Sequence, residues 1–234
     1  MEALHLMAQK GPRPWPVGLP AQEFRSEDLD DVRHHVGSMF CEHDMRMVDR
    51  RGRLNTDISR FQCRAVTFVD MAYGADVMIN PGSLNHFYLI QIPLAGSARI
   101  VMNGEEFDCQ PGMATVQDPD VPLQMYWRKG CRKLVLRFDR ARFERFTEIH
   151  YGRTFPRALS MTPAFDLAHP AGVALAGLFH NMRFFGFRTG EEIPPAIQAH
   201  WAMCFMSALL MLRKRVAASM RSWSIEGRRM RCGG

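Results

Sequence analysis

His86, Tyr88, Gln91, Arg99, Tyr126, Trp127 and Arg137 are the side chains with which this sequence could hold a small molecule. They offer imidazole, phenol, amide, indole and guanidinium groups, the few directed contacts that orient a ligand in a mostly apolar pocket. Each type serves equally well as an ordinary structural residue, so they are candidates for a binding lining and no more. Metal chemistry is not expected. A metal-binding barrel needs several imidazoles and a carboxylate converging on one ion. Here His86 is the only histidine between His43 and His150, and of the adjacent Glu105 and Glu106 at most one can face inward. There is no Gly-x-Ser-x-Gly elbow, phosphate loop or Gly-x-Gly-x-x-Gly turn. Asp108, Asp118 and Asp120 read as turn carboxylates, and His34 and His35 as solvated helix residues. Neither a cofactor nor an enzymatic activity is expected.

The elements that must position such a lining are strands. Phe87 to Pro93 and Ala98 to Met102 are apolar runs, and Asn103-Gly104 after them tolerates the positive φ of a tight hairpin turn. Glu105 to Gln110 follows, then the turn Pro111-Gly112, then Met113 to Gln117. Leu54 to Phe61, Cys63 to Met71 and Ala75 to Asn80 precede this stretch, and Leu123 to Trp127 and Lys133 to Phe138 come after it. Short strands at this spacing predict an antiparallel barrel or sandwich over residues 54–138. In the run at Phe87, the alternation sets Phe87, Leu89 and Gln91 on one face and Tyr88, Ile90 and Ile92 on the other, without saying which is inside.

Helices flank the strands. Ser26 reads as an N-cap, and Leu29, Val32, Val36, Met39 and Phe40 recur at helical spacing. Asp139 caps a helix ended by Gly152. Pro170 opens another with Leu175, Leu178, Phe179, Met182 and Phe185 on its apolar face, ended by Gly186 to Gly190. Pro194 and Pro195 start a last helix running to about Ala218, with Ile197, Trp201, Phe205, Ala208, Leu209 and Leu212 on one side and Arg213, Lys214 and Arg215 in its last turns. Residues Met1 to Gln22 carry several prolines and read as a flexible arm. Residues 219–234 have almost no apolar periodicity and read as a disordered tail.

The chain has 234 residues with a formal charge of +6, which bounds it to one large domain, or one domain with an appendage. The six cysteines Cys41, Cys63, Cys109, Cys131, Cys204 and Cys232 form no Cys-x-x-Cys pair. With no export signal at the N-terminus, they are expected to be reduced thiols in the cytoplasm. No apolar run is long enough for a membrane span.

The order of these elements resembles the N-terminal cupin-type ligand-binding domain of AraC/XylS-type bacterial transcription regulators. The resemblance rests on Phe24-Arg25-Ser26 with Leu29, Asp30 and Val32, on Tyr73-Gly74 before a strand, and on Gln91-Ile92-Pro93-Leu94-Ala95-Gly96, which is similar to a strand ending in Pro-Leu-x-Gly. Pro111-Gly112 with Ala114 and Asp118-Pro119, the junction from Leu134 to Phe143, and Phe165-Asp166 after Pro163 continue it, so that it covers about residues 24–212. It implies an α+β fold: an antiparallel cupin-like (jelly-roll) β-barrel followed by C-terminal helices that pair two chains. The expected organisation is an arm over 1–23, a ligand-binding and dimerisation domain over 24–218, and a basic tail over 219–234.

In that family two helix-turn-helix units follow the last helix. RSWSIEGRRMRCGG resembles neither, so a chain truncated or frame-shifted before its DNA-binding domain is expected. The implied partners are a small-molecule effector of unspecified class and a second chain, either a copy of this one or a full-length relative. Trp201, Phe205, Leu209 and Leu212 form a stripe that packs on the barrel and on the Leu175 to Phe185 helix, or forms the expected dimer seam, or does both, with Leu209→Asp lowering dimerisation before it unfolds the barrel. Arg213, Lys214, Arg215, Arg221, Arg228, Arg229 and Arg231, against the single acid Glu226, predict at most weak, sequence-independent DNA binding. The alternatives are a small cupin-like enzyme and a nonspecific nucleic-acid binder acting through this tail.

Overall fold

The computed structural model describes residues 22–49, 51–152, 160–189 and 193–213. Twelve strands and four helices lie within them. They run β1 (Gln22–Ser26), α1 (Leu29–Met39), β2 (Asp44–Met47), β3 (Thr56–Cys63), β4 (Val66–Ala72), β5 (Val77–Gly82), β6 (Phe87–Ala95), β7 (Ala98–Met102), β8 (Glu105–Cys109), β9 (Met113–Gln117), β10 (Leu123–Trp127) and β11 (Arg132–Asp139). Then come α2 (Arg140–Tyr151), β12 (Ala164–Asp166), α3 (Pro170–Thr189) and α4 (Pro195–Met211). Pairing throughout is antiparallel, in a seven-stranded sheet of order β1-β3-β4-β11-β6-β9-β12 and a five-stranded sheet of order β2-β5-β10-β7-β8. This is the α+β, cupin-like jelly roll that the sequence implied, with its helices after the strands.

Local chemistry explains the turns. Asn103 and Gly104 both have positive φ, 52° and 81°, as a two-residue hairpin between β7 and β8 requires. Gly96, at φ 67°, ends β6 against the backbone of Cys131, where a Cβ would come within 2.7 Å of that residue's Cα. The N-cap of α1 is Asp28 rather than Ser26: its Oδ1 accepts from the Asp30 and Asp31 N–H groups, and Ser26 Oγ accepts from the Asp28 N–H one turn-residue earlier. Asp139 caps α2 as expected, accepting from the Arg142 N–H, and Gly152 ends it in the left-handed conformation.

Several bounds differ from the sequence reading. Gln22 and Glu23, assigned to the arm, begin β1. β2 and β12 carry too few apolar residues to be read as strands, and both are held by neighbours already in register. β3 and β4 turn at Arg64 and Ala65, with Arg64 at φ 54°, a place without glycine or proline to mark it. Helix α3 continues through Gly186 to Thr189, since an isolated glycine lowers helix propensity without ending a helix. Helix α4 ends at Met211, not near Ala218. Leu212 is its C-cap, and Arg213 already bridges back to Met161. The arm as far as residue 21, residues 153–159, and residues 214–234, including the basic tail, lie outside the described residues.

The seven-stranded sheet is buried on both faces. Its odd-numbered residues in β4, β6 and β11, among them Val69, Met71, Leu89 and Val135, meet Met45, Ile79, Ile100, Met125 and Trp127 of the five-stranded sheet in one core. Its even-numbered residues, among them Phe68, Tyr88, Ile90, Leu134, Leu136 and Phe138, meet Phe143, Leu175, Phe179, Trp201, Phe205 and Leu209 of the helices in a second. Phe68, Phe179 and Phe205 touch edge to face, with centroids 4.9–5.8 Å apart.

The expected dimer seam is therefore already occupied. Trp201, Phe205, Leu209 and Leu212 are all buried within one chain, Leu209 completely, and Trp201 Nε1 donates to Asn181 Oδ1 at 2.9 Å. Sequence fixes that a stripe must be covered and does not say which of two covers takes it. Here it is the outer face of the seven-stranded sheet.

Candidate ligand-binding site

Two hollows involve the predicted lining residues. One is an open depression of about 760 Å³ on the outer face of the five-stranded sheet, bordered by Arg99, Tyr126 and Arg128. Two of its cations are matched locally: Arg99 pairs with Asp108 at 2.9 Å and Glu106 at 3.1 Å, and Arg128 with Asp76 at 3.9 Å, whereas Arg46 meets only the Met78 thioether at 3.2 Å among the described residues. The other is a cavity of about 40 Å³ between the two sheets. Val36 and Phe40 of α1 roof it, Met71, Leu89, Met125 and Val135 form its walls, and Cys41, His43, Tyr73, Gln91 and Lys133 bring polar atoms to it. The small volume has the chemistry of a binding site, because polar groups there lack partners.

Lys133 is the first such group. It is 3% exposed, and its position on β11 puts it on the inward face with Val135 and Arg137. Its Nζ lies 3.2 Å above the Trp127 ring centroid and 4.9 Å from that of Tyr73. Burial holds its pKa well below the usual lysine range; the one titratable group that favours the charge is Cys131. The neighbouring Arg132 shows the ordinary arrangement for a charge in this sheet: it pairs with the fully buried Asp70 at 2.7 Å and with Asp57 at 3.2 Å.

His43 is the second. Its Nδ1 donates to the Cys41 carbonyl at 2.9 Å, which a carbonyl can only accept, so the neutral ring presents an unprotonated Nε2. That Nε2 is buried without a partner among the described residues. Burial lowers the pKa of His43, and the charges of Arg33 and Lys133 lower it further against the opposing Cys41 hydrogen bond and Asp44. Gln91 is the third: its amide donates to the thioether of Met125 at 3.1 Å, a weak acceptor readily exchanged for a better one. Thr56, Ser59 and Gln117 also hold buried polar atoms without protein partners, but none of them lines this cavity.

Of the sequence candidates, the cavity contains Gln91. Trp127 stands beside it, under Lys133, with its own Nε1 buried and unpartnered. Arg137 lies further along the same inward face, its guanidinium 4.6 Å from the Phe87 ring centroid and its Nε buried without a partner; burial lowers its pKa. The other four are elsewhere. Tyr88 faces the helices and meets Phe143 edge to face at 5.2 Å. His86 is exposed in the loop before β6. Arg99 and Tyr126 belong to the outer depression. Lys133 and His43 were missed. Lys133 shares the parity of Arg137 four residues on, which is a readable signal; His43 lies in a loop whose direction no periodicity reveals.

Among the described residues, no three His, Cys, Asp or Glu side chains are gathered as metal ligands. No helix among them is long and apolar enough to cross a membrane.

Comparison with known proteins decides the family. Residues 32–210 match the family model of the AraC-binding-like domain. The chain belongs to this family. It is thus a ligand-sensing regulatory domain by kind, as the order of its elements implied. The AraC-like transcriptional activator CuxR is similar in fold, with a TM-score of 0.57 at 11% identity over 86% of this chain and 73% of that one. A putative glyoxylate-induced protein from Pseudomonas aeruginosa aligns with a TM-score of 0.39 at 11% identity, over 56% of this chain and 52% of its own. A cupin 2 conserved barrel protein from Salinispora arenicola CNS-205 aligns at 0.33 with 18% identity, over 46% and 91%. No curated protein matches the chain.

Proposed function

We propose that this chain is the effector-sensing domain of an AraC-type bacterial transcription regulator, which binds a small molecule between its two sheets and releases it unchanged. The observation that carries this reading is the inter-sheet cavity, where apolar walls surround Lys133, which meets only aromatic faces, His43 Nε2 and Gln91, polar groups without good partners among the described residues. A jelly roll filled only for stability has no use for a buried amine at its centre, and a ligand supplies the missing contacts. Membership of a ligand-binding family supports binding without turnover. Helix α1 roofs the cavity with Val36 and Phe40 and makes the mechanical link, since a ligand larger than the cavity must lift it.

Pairing of two chains belongs to the same reading, on a different face from the one expected. Met203 and Met211 of α4 are 42% and 50% exposed, eight residues apart on one side of the helix with Ser207 between them. This side, opposite the buried stripe, is where a second copy packs.

A thermal-shift screen of small metabolites tests the sensing role. A true effector at a hundred times its Kd stabilises the chain by about 2.7 kcal/mol, and mass spectrometry recovers it intact. A panel in which no compound shifts the transition, or in which the bound compound is converted, overturns the reading. For pairing, Met203→Glu combined with Met211→Glu is expected to shift sedimentation toward monomer with stability changed by no more than about 0.5 kcal/mol. A wild-type chain that sediments as a monomer at high concentration rules pairing out.

A further inference from the structure

We infer that the ligand of the inter-sheet cavity carries a carboxylate, which meets the Lys133 amine beside Trp127, and an apolar body that lies against Met71, Leu89, Met125 and Val135. This deepens, and rests on, the reading that the cavity is the effector site. The argument begins with Lys133 itself. A buried ammonium costs several kcal/mol unless it is paired, and the buried charge beside it in this sheet is paired: Asp70 has Arg132 at 2.7 Å. Lys133, one residue along, has two aromatic faces and no carboxylate among the described residues. It also lines a cavity rather than solid packing. An anion arriving in that cavity completes the pair and reverses the depression of the lysine's pKa.

His43 narrows the choice. It lines the same cavity, and the Lys133 charge is among the causes lowering its pKa. Two groups able to be cationic face one space with no anion between them, and Nε2 of His43 has no partner among the described residues. A carboxylate has two oxygens. One accepts from Lys133, and the other accepts from His43 once that ring is protonated, or from the Gln91 amide released from Met125. A neutral hydroxyl can donate to His43 Nε2 and accept from Lys133, but it brings no charge to pair with the ammonium.

The walls set the rest. About 40 Å³ holds a group of the size of a carboxylate or a couple of waters, far below the space of an ordinary ligand pocket. The body of the ligand therefore makes its room by moving side chains. Met71 and Met125 are the pliable ones, with unbranched thioether chains that repack at low cost, and Phe40 and Leu84 close the cavity on the side of α1.

The test compares acids with their own primary amides on the whole chain: acetate, butyrate, hexanoate and phenylacetate, each beside acetamide, butyramide, hexanamide and phenylacetamide. Binding is read by calorimetry, and its place by ¹³C-methyl methionine spectra with Met71 and Met125 assigned. At least one acid is expected to bind at least tenfold more tightly than its amide and to move both methyl signals. Lys133→Met, which keeps the length of the side chain and removes a buried charge, is expected to fold normally and lose that acid by at least tenfold while leaving amide binding unchanged. The wild-type comparison needs no variant, so a poorly folded Lys133→Met leaves it intact. Acids and amides that bind equally and move both methyl signals overturn the carboxylate inference while the cavity remains the effector site. Acid binding that survives Lys133→Met overturns it as well. If no compound of either kind moves the Met71 and Met125 signals, this inference fails, and the sensing role stands or falls on the broader metabolite screen.

Discussion

The two faces of the seven-stranded sheet are built from alternate residues of the same strands and have opposite characters. On β11, Leu134, Leu136 and Phe138 face the helices and are fully buried, among aromatic rings that touch edge to face. Lys133, Val135 and Arg137 face the other sheet, and two of these three are basic. β6 divides the same way, with Tyr88, Ile90 and Ile92 on the helix side and Phe87, Leu89 and Gln91 on the cavity side. Stability is concentrated on one face and unmet polar chemistry on the other. The two-residue period of a strand lets one segment do both, and a register slip of one residue would exchange them.

The largest expected effect lies on the helix face. Phe205→Ala removes the ring shared by Phe68 and Phe179 and is expected to cost about 3–5 kcal/mol. Leu209→Asp places a charge at a position with no exposure and is expected to prevent folding outright, so that chain pairing cannot be read from it. Denaturant titration with ligand binding measured on the folded fraction checks both. If Phe205→Ala changes ligand affinity in proportion to stability, the faces are not independent and the comparison breaks.

Next in size is the paired charge. Asp70→Ala leaves Arg132 with Asp57 alone and is expected to cost about 1–2 kcal/mol, because Arg132 is part-exposed and keeps one partner. The network also holds Arg25 of β1 to Asp57 at 3.1 Å, so proteolysis near β1 is expected to quicken in this variant. Unchanged stability would mean that Arg132 reaches water on losing Asp70, and that pairing does not govern charges in this sheet.

The legible part of this molecule was the part that repeats. The hairpin at Asn103-Gly104, the strand Leu123–Trp127 and the cap at Asp139 were readable because turn and cap residues have backbone requirements of their own. The burial of the α4 stripe was readable too, and packing on the sheet and on α3 was one of the two covers it allowed, since an apolar face records only that it is removed from water. The cavity was half legible. Gln91 and Arg137 stood out as polar residues inside apolar strands, whereas Tyr88 shares the same strand and faces the other way. Choosing between parities requires knowing which layer lies on which side, and that depends on helices more than fifty residues away in sequence. His43 was invisible for a plainer reason: α1 and the loop after it fix its place over the cavity, and loops carry no period.

The smallest expected effect, and the one most specific to the inner face, is the titration of Lys133. Its folded pKa lies below the unfolded value of about 10.4. Below the folded pKa both states hold the proton, and the full cost of the buried ammonium is present. Between the two pKa values the unfolded chain holds a proton that the folded chain has released, so stability rises with pH across that window. Lys133→Met has no such window. The variant is expected to exceed the wild type by about 1 kcal/mol near neutrality, with the gap narrowing as pH climbs toward 10. Other buried groups act in the opposite direction: Cys63 and Cys109, pushed up to about 11 by burial, and Tyr73, pushed higher still, resist ionisation that the unfolded chain allows. They do so alike in both proteins and cancel in the difference. Cys131 does not cancel, because its charge acts on Lys133, so both proteins carry Cys131→Ala, and starting at pH 7 avoids the titration of His43. A gap that stays constant from pH 7 to 10 would show that Trp127 and Tyr73 satisfy the ammonium without help. Lys133 would then belong to the settled chemistry of the helix face, and the contrast between the two faces would rest on Gln91, His43 and Arg137 alone.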